Sequence, residues 1–129
     1  MMVIAALAGL LLAAASPGPK WASFETLPDG VIYIDPVSVK RQGGFADMWV
    51  LIDYKVGQPD KVGKTVKSDT LHYRYDCKGK QFTLLATTAY AGAMGTGEIV
   101  DANPELPPMS PVPPDTTAER MWQRACGAK

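Results

Sequence analysis

Two cysteines, Cys77 and Cys126, in a chain that opens on an apolar run are what most constrain this sequence. Cys77 closes a segment of alternating β-branched and aromatic residues, and Cys126 falls on the apolar face of the last helical pattern. A bond between them would staple that helix onto a sheet. Residues 1–15, MMVIAALAGLLLAAA, carry no charged side chain and give way at Ser16-Pro17-Gly18-Pro19 to polar and helix-breaking residues. That succession is the pattern of a secretory signal, and Ala13 and Ala15 supply its small-residue site. Cleavage is expected after Ala15, since cutting one residue later would leave Pro17 beside the scissile bond, and the mature chain is then 16–129. No Lys or Arg precedes the apolar run, which points to an upstream start codon. A membrane anchor is the competing reading, but the run reaches only about 22 Å as a helix, whereas spanning takes ~20 residues. No cysteine lies near the cleavage site, so the product is expected to be soluble, exported and not a lipoprotein.

Export makes the cysteines a disulfide, because they mature in an oxidising compartment and two thiols allow one intramolecular pairing. Intermolecular pairing is the alternative. As metal ligands the pair is poor, since only His72 could join it. Closing a loop of roughly 50 residues is worth about 4 kcal/mol in the chain-entropy model. With 13 basic and 13 acidic residues the chain is neutral, which excludes a broad nucleic-acid or anionic-membrane surface. Its length suits one domain, 16–129.

Past the Pro/Gly hinge the pattern is of short strands. Residues 21–26 and 31–35 flank Pro28-Asp29-Gly30, expected as a hairpin turn in which Pro presets φ and Gly supplies a positive φ. Residues 37–40 are too short to classify, and Gln42-Gly43-Gly44 marks a reversal. Residues 45–55, FADMWVLIDYK, put Met48, Val50, Ile52 and Tyr54 on one face and Trp49, Leu51 and Asp53 on the other. Residues 57–63 break the chain, 66–77 alternate as a strand, Lys78-Gly79-Lys80 turn, 81–90 return, and 96–101 add a short edge. With no long helical pattern between strands, consecutive antiparallel pairing is expected in an α+β fold.

Residues 103–115, NPELPPMSPVPPD, form a proline-rich strap. Its readings are a rigid connector, which is preferred, or a ligand for a proline-binding domain. The helix is expected at 116–126: Thr116 caps it, Glu119 can complete a capping box, and Gly127 can end it in the left-handed region. Ala118, Met121, Trp122, Ala125 and Cys126 share one face.

A set of these residues resembles the bacterial surface-adhesin protein E family: Trp21, Tyr33-Ile34-Asp35 with Val39-Lys40-Arg41, Met48-Trp49 with Asp53-Tyr54, Ser68, Asp76-Cys77, Tyr90, Met94-Gly95-Thr96-Gly97-Glu98, and Trp122 with Ala125-Cys126. The resemblance covers about residues 20–127. It implies a bent sheet of about six antiparallel strands with a concave face, and a C-terminal α-helix tied to it by the disulfide. It also implies a surface lipoprotein that can form a homodimer and that binds host vitronectin, laminin and plasminogen. This chain departs from that pattern in having no lipobox cysteine, and none of its residues matches a host-binding motif.

Catalytic constellations fail on inspection. A hydrolase triad needs a base, and His72, beside Thr70 and Arg74 on the polar face of its strand, is expected to be a solvated surface histidine. Asp35 and Asp53 could pair as carboxylates, but Asp35 precedes Pro36, where acidic residues cap turns. Met94-Gly95-Thr96-Gly97 lacks the further glycine and following helix of a phosphate-binding fingerprint and is expected to be a bend that turns the chain back beneath the helix. Trp21, Trp49 and Trp122 read as core or interface aromatics. Trp49, sharing a face with Asp53, is the nominee for a contact surface. The expectation is a non-enzymatic envelope or surface binding module, without cofactor or metal, for a host-matrix or envelope protein. The alternative is a periplasmic structural or housekeeping subunit with no adhesive role.

Overall fold

Gly43 and Gly44, both at positive φ (61° and 86°), close a two-residue hairpin between Gln42 and Phe45, a turn whose mirror-image twist suits flanking strands and which side-chain-bearing residues enter only at a cost. From it runs the longest strand of the computed structural model, which describes residues 19–127 apart from residue 106. The strands are β1 (Ala22–Leu27), β2 (Gly30–Ile34), β3 (Lys40–Gln42), β4 (Phe45–Pro59), β5 (Thr65–Asp76), β6 (Gln81–Tyr90), β7 (Ile99–Pro104) and β8 (Ser110–Pro111), followed by the helix α1 (Thr117–Cys126). Six form one antiparallel sheet in the order β1-β2-β4-β5-β6-β7, with β3 added beside β4 and β8 beside β6. The expected fold class is the observed one.

Period-two alternation assigns the faces. Ile32, Ile34, Ala46, Met48, Val50 and Tyr75 point to one side, where Met121 and Ala125 of α1 close the core. The helix is capped as its sequence requires. Thr116 Oγ1 accepts from the Glu119 amide at 3.2 Å, and Gly127 ends it at φ 65°. Glu119 reaches back to the amide of Asp115, one residue before the expected partner.

The turn after β5 ties the helix down. Asp76 Oδ1 accepts from the amides of Lys78 and Gly79, at 3.0 and 2.8 Å, which shapes the reversal. The indole of Trp122 donates to the Asp76 carbonyl at 3.0 Å, Cys126 is bonded to Cys77 with Cα atoms 5.6 Å apart, and Lys80 pairs with Glu119. One short segment therefore receives three separate contacts from α1. The exposed ion pair adds little to stability, whereas the covalent link and the buried face hold the helix.

Two turns differ from expectation. Gly30 pairs with Leu27 across a two-residue loop and does not adopt a positive φ. Glycine is needed there because a Cβ would stand 2.4 Å from the Asp53 carbonyl oxygen of the neighbouring strand. The Met94-Gly95 bend lies on the face opposite the helix, not beneath it. Leu51, on that opposite face, is fully buried, and the bend is what covers it: Leu51 and Thr70 are the side chains nearest to Gly95. Residues 103–104 belong to β7, and Ser110–Pro111 pair with β6, so the proline-rich segment follows the edge of the sheet. Among the described residues no helix is long and apolar enough to cross a membrane. The expected signal segment, 1–15, lies outside the described residues.

Candidate functional site

On the face away from α1, β4 presents Phe45, Asp47, Trp49, Leu51 and Asp53, and β5 presents Ser68, Thr70, His72 and Arg74. The bend at 91–98 caps one end of this face. The Ser68 hydroxyl, fully buried, accepts from the Gly95 amide at 2.8 Å and donates to the Gly92 carbonyl at 2.7 Å. Asp53 accepts from the Met94 amide at 2.9 Å. These bonds satisfy a strained turn, with Met94 at φ 56°, and leave the remainder of the face open.

That open part is a groove of about 810 Å³, walled by Trp21, Trp49, His72 and Tyr90 and floored in part by Thr70. A second hollow of about 530 Å³ continues it past Lys40 and Asp47, which line both, toward Phe45, Leu85 and Met109. The register of β4 and β5 sets Trp49 opposite His72. Their rings stack at 4.3 Å between centroids, 3° from parallel, an arrangement that stiffens both side chains. Burial holds the His72 imidazole below its ordinary pKa, assisted by the nearby Arg74 and Lys40 charges and opposed by Asp47. His72 is thus neutral at pH 7 and half-buried, not the solvated surface residue expected from alternation.

Polar groups around the groove are unevenly committed. Arg74 grips Asp47 with two parallel bonds, 2.8 and 2.9 Å, and this bidentate contact pushes the guanidinium pKa up. Asp35 accepts from the Val37 amide at 3.1 Å and caps the 3₁₀ turn Pro36–Ser38, as its place before Pro36 predicts. Asp35 and Asp53 therefore serve separate turns and are not a carboxylate pair. Ser38 donates to the Asp35 carbonyl and accepts from the Trp49 amide, so the 3₁₀ turn buttresses the strand that carries the stacked ring. Of the groove residues only Trp49 was nominated from the sequence. Lys40, Thr70, His72 and Tyr90 join it through strand pairing, for which sequence alternation alone gives no register, and Trp21 joins it from the residue before β1.

A third hollow, about 590 Å³, lies between β1 and the helix and contains Arg41, Arg120 and Arg124. Two of these are already committed, Arg120 to Glu25 and Arg41 to the Ala125 carbonyl at the helix end, where a cation complements the helix dipole. Among the described residues no group of three or more His, Cys, Asp or Glu side chains converges as a metal site requires.

The family model of surface-adhesin protein E matches residues 21–127, which takes in every strand, the helix and the four rings that wall the groove. The chain belongs to the surface-adhesin protein E family. Its fold is similar to that of protein E from non-typeable Haemophilus influenzae, with 15% identity and a TM-score of 0.65 over 87% of this chain and 80% of that one. A second Haemophilus influenzae protein E structure gives 17% identity and a TM-score of 0.62 over 84% of this chain and 92% of that one. Crystal form II of the same protein gives 19% and 0.61 over 74% and 80%. At these identities the likeness concerns the fold. No curated protein matches the sequence. Family membership suggests a surface adhesin.

Proposed function

We propose that this chain is an exported, non-enzymatic binding module of the cell envelope that engages a host extracellular-matrix or serum protein through the groove centred on Trp49. The observation that carries the reading is the Trp49–His72 stack, held rigid on a wide hollow on the face opposite the disulfide-tied helix. Aromatic side chains fixed before binding lose little freedom on contact and so give favourable contact energy. In this reading residues 1–15 are removed, 16–129 form one domain, and the module can pair with a second copy. The His72 ring is stacked on Trp49, which commits the imidazole to the wall of the groove.

A second reading, a periplasmic structural subunit, is favoured by the fact that both cysteines of the sequence are held in the disulfide, leaving neither for lipid attachment. Protease treatment of intact cells separates the two. Digestion on intact cells, together with loss of adherence to matrix-coated surfaces on deletion, supports the adhesive role. Release only by osmotic shock, with adherence unchanged, would establish the periplasmic one.

A further inference from the structure

We infer that the groove takes an extended proline-rich peptide in the polyproline II conformation. This deepens the reading of the groove as the contact surface and rests on it. The first ground is a set of free donors. The indole N–H groups of Trp21 and Trp49, the Lys40 ammonium and the hydroxyls of Thr70 and Tyr90 have no hydrogen-bond partner among the described residues, in contrast to the Trp122 indole. None of them is sealed from solvent, since the buried unpartnered side-chain atoms are those of Glu25 and Tyr75. The two indoles and the ammonium can only donate, whereas the carboxylates beside them already hold bonds, Asp47 from Arg74 and Asp35 from the Val37 amide. A proline-rich backbone brings carbonyls with few amide N–H groups, and in the polyproline II conformation those carbonyls are not used internally.

The second ground is that a pyrrolidine ring already lies against this surface, because Pro19 lines the groove with Trp21 and Trp49. The third is shape. The hollow continues past Lys40 and Asp47 to Phe45, Leu85 and Met109, an elongated path suited to a chain that advances about 3.1 Å per residue. Flat aromatic walls with N–H and O–H donors between them are how proline-rich segments are held elsewhere, and the stiffness of such peptides limits the entropy lost on docking.

The test is a titration of decaproline into the oxidised chain, followed by NMR of the tryptophan indole N–H signals. Trp122, on the other face and bonded to the Asp76 carbonyl, is the internal control. The signals of Trp21 and Trp49 should shift and saturate while that of Trp122 stays still. Trp49→Ala should weaken binding at least tenfold. Trp49→Phe keeps an aromatic ring, guards against loss of folding, and should weaken binding a few-fold through loss of the N–H. A Gly-Ser peptide of equal length and chitotriose are titrated in parallel. Still Trp21 and Trp49 signals with decaproline, or equal binding of the Gly-Ser peptide, would overturn the inference. Saturation by chitotriose alone would overturn the peptide class while leaving the groove as the contact surface.

Discussion

Removing the Cys77–Cys126 bond should lower stability by about 4 kcal/mol without unfolding the domain. The cysteines are 49 residues apart, and the chain-entropy expression for a closed loop of that length gives roughly 14 cal/mol/K, or about 4 kcal/mol at 25 °C. At roughly 4 °C per kcal/mol for a domain of this size, the melting temperature should fall by about 15 °C. The helix should nevertheless stay docked, because Met121 and Ala125 remain buried and Trp122 keeps its bond to the Asp76 carbonyl. The assay compares thermal melts of oxidised protein, reduced protein and the Cys77→Ser/Cys126→Ser double variant. The last two should coincide, with far-ultraviolet circular dichroism at 20 °C unchanged from the oxidised form. A drop below about 3 °C would refute the reasoning, since loop closure of that length cannot be so weak unless the reduced unfolded chain is already restricted. Loss of helical signal on reduction would instead show that the apolar face does not hold the helix by itself.

Three further outcomes are expected. Ser68→Ala should cost about 2–4 kcal/mol, because it leaves the Gly95 amide and the Gly92 carbonyl unpaired in a buried site; faster amide exchange at Gly95, measured by NMR, checks it. Tyr75→Phe should stabilise the domain by about 1 kcal/mol, since the Tyr75 hydroxyl is buried without a partner among the described residues; a melt that falls would contradict this. Acidification should destabilise through His72: its folded pKa lies below the ordinary 6.5, so the unfolded chain binds the proton first and stability falls as pH drops through and below about 6.5. Urea melts at pH 7.5 and 5.5 should show a smaller loss for His72→Gln than for wild type.

Much of the fold can be read from local chemistry. Gln81 and Tyr90 bound β6 in both sequence pattern and structure, the Thr116 cap and Gly127 stop frame α1, and the 45–55 alternation assigns Met48 and Val50 to the core. Pairing register is less legible. The stack of Trp49 on His72 depends on a 49↔72 match across β4 and β5, and shifting that register by one residue would exchange the faces. Alternation therefore put His72 on a polar face without revealing the ring beside it. The constraint on Gly30 escapes local reading because it is a carbonyl on another strand. Nor can local sequence show that Leu51 needs cover on the face opposite the helix, which is what sets the place of the Met94-Gly95 bend. The rest of the groove was missed for the same cause: Trp21, Lys40 and Tyr90 come from three distant segments that only the sheet brings together.

The contact face is tested most directly by paired variants on opposite sides of the sheet. Wild type, Trp49→Ala and Arg124→Glu, the last on the exposed surface of α1, are compared for binding to surfaces coated with matrix proteins, after matching melts establish that each is folded. Binding should fall about tenfold or more for Trp49→Ala, equivalent to about 1.4 kcal/mol, and hold for Arg124→Glu. Undiminished binding by Trp49→Ala, with loss in Arg124→Glu, would move the contact surface to the helix and contradict the account.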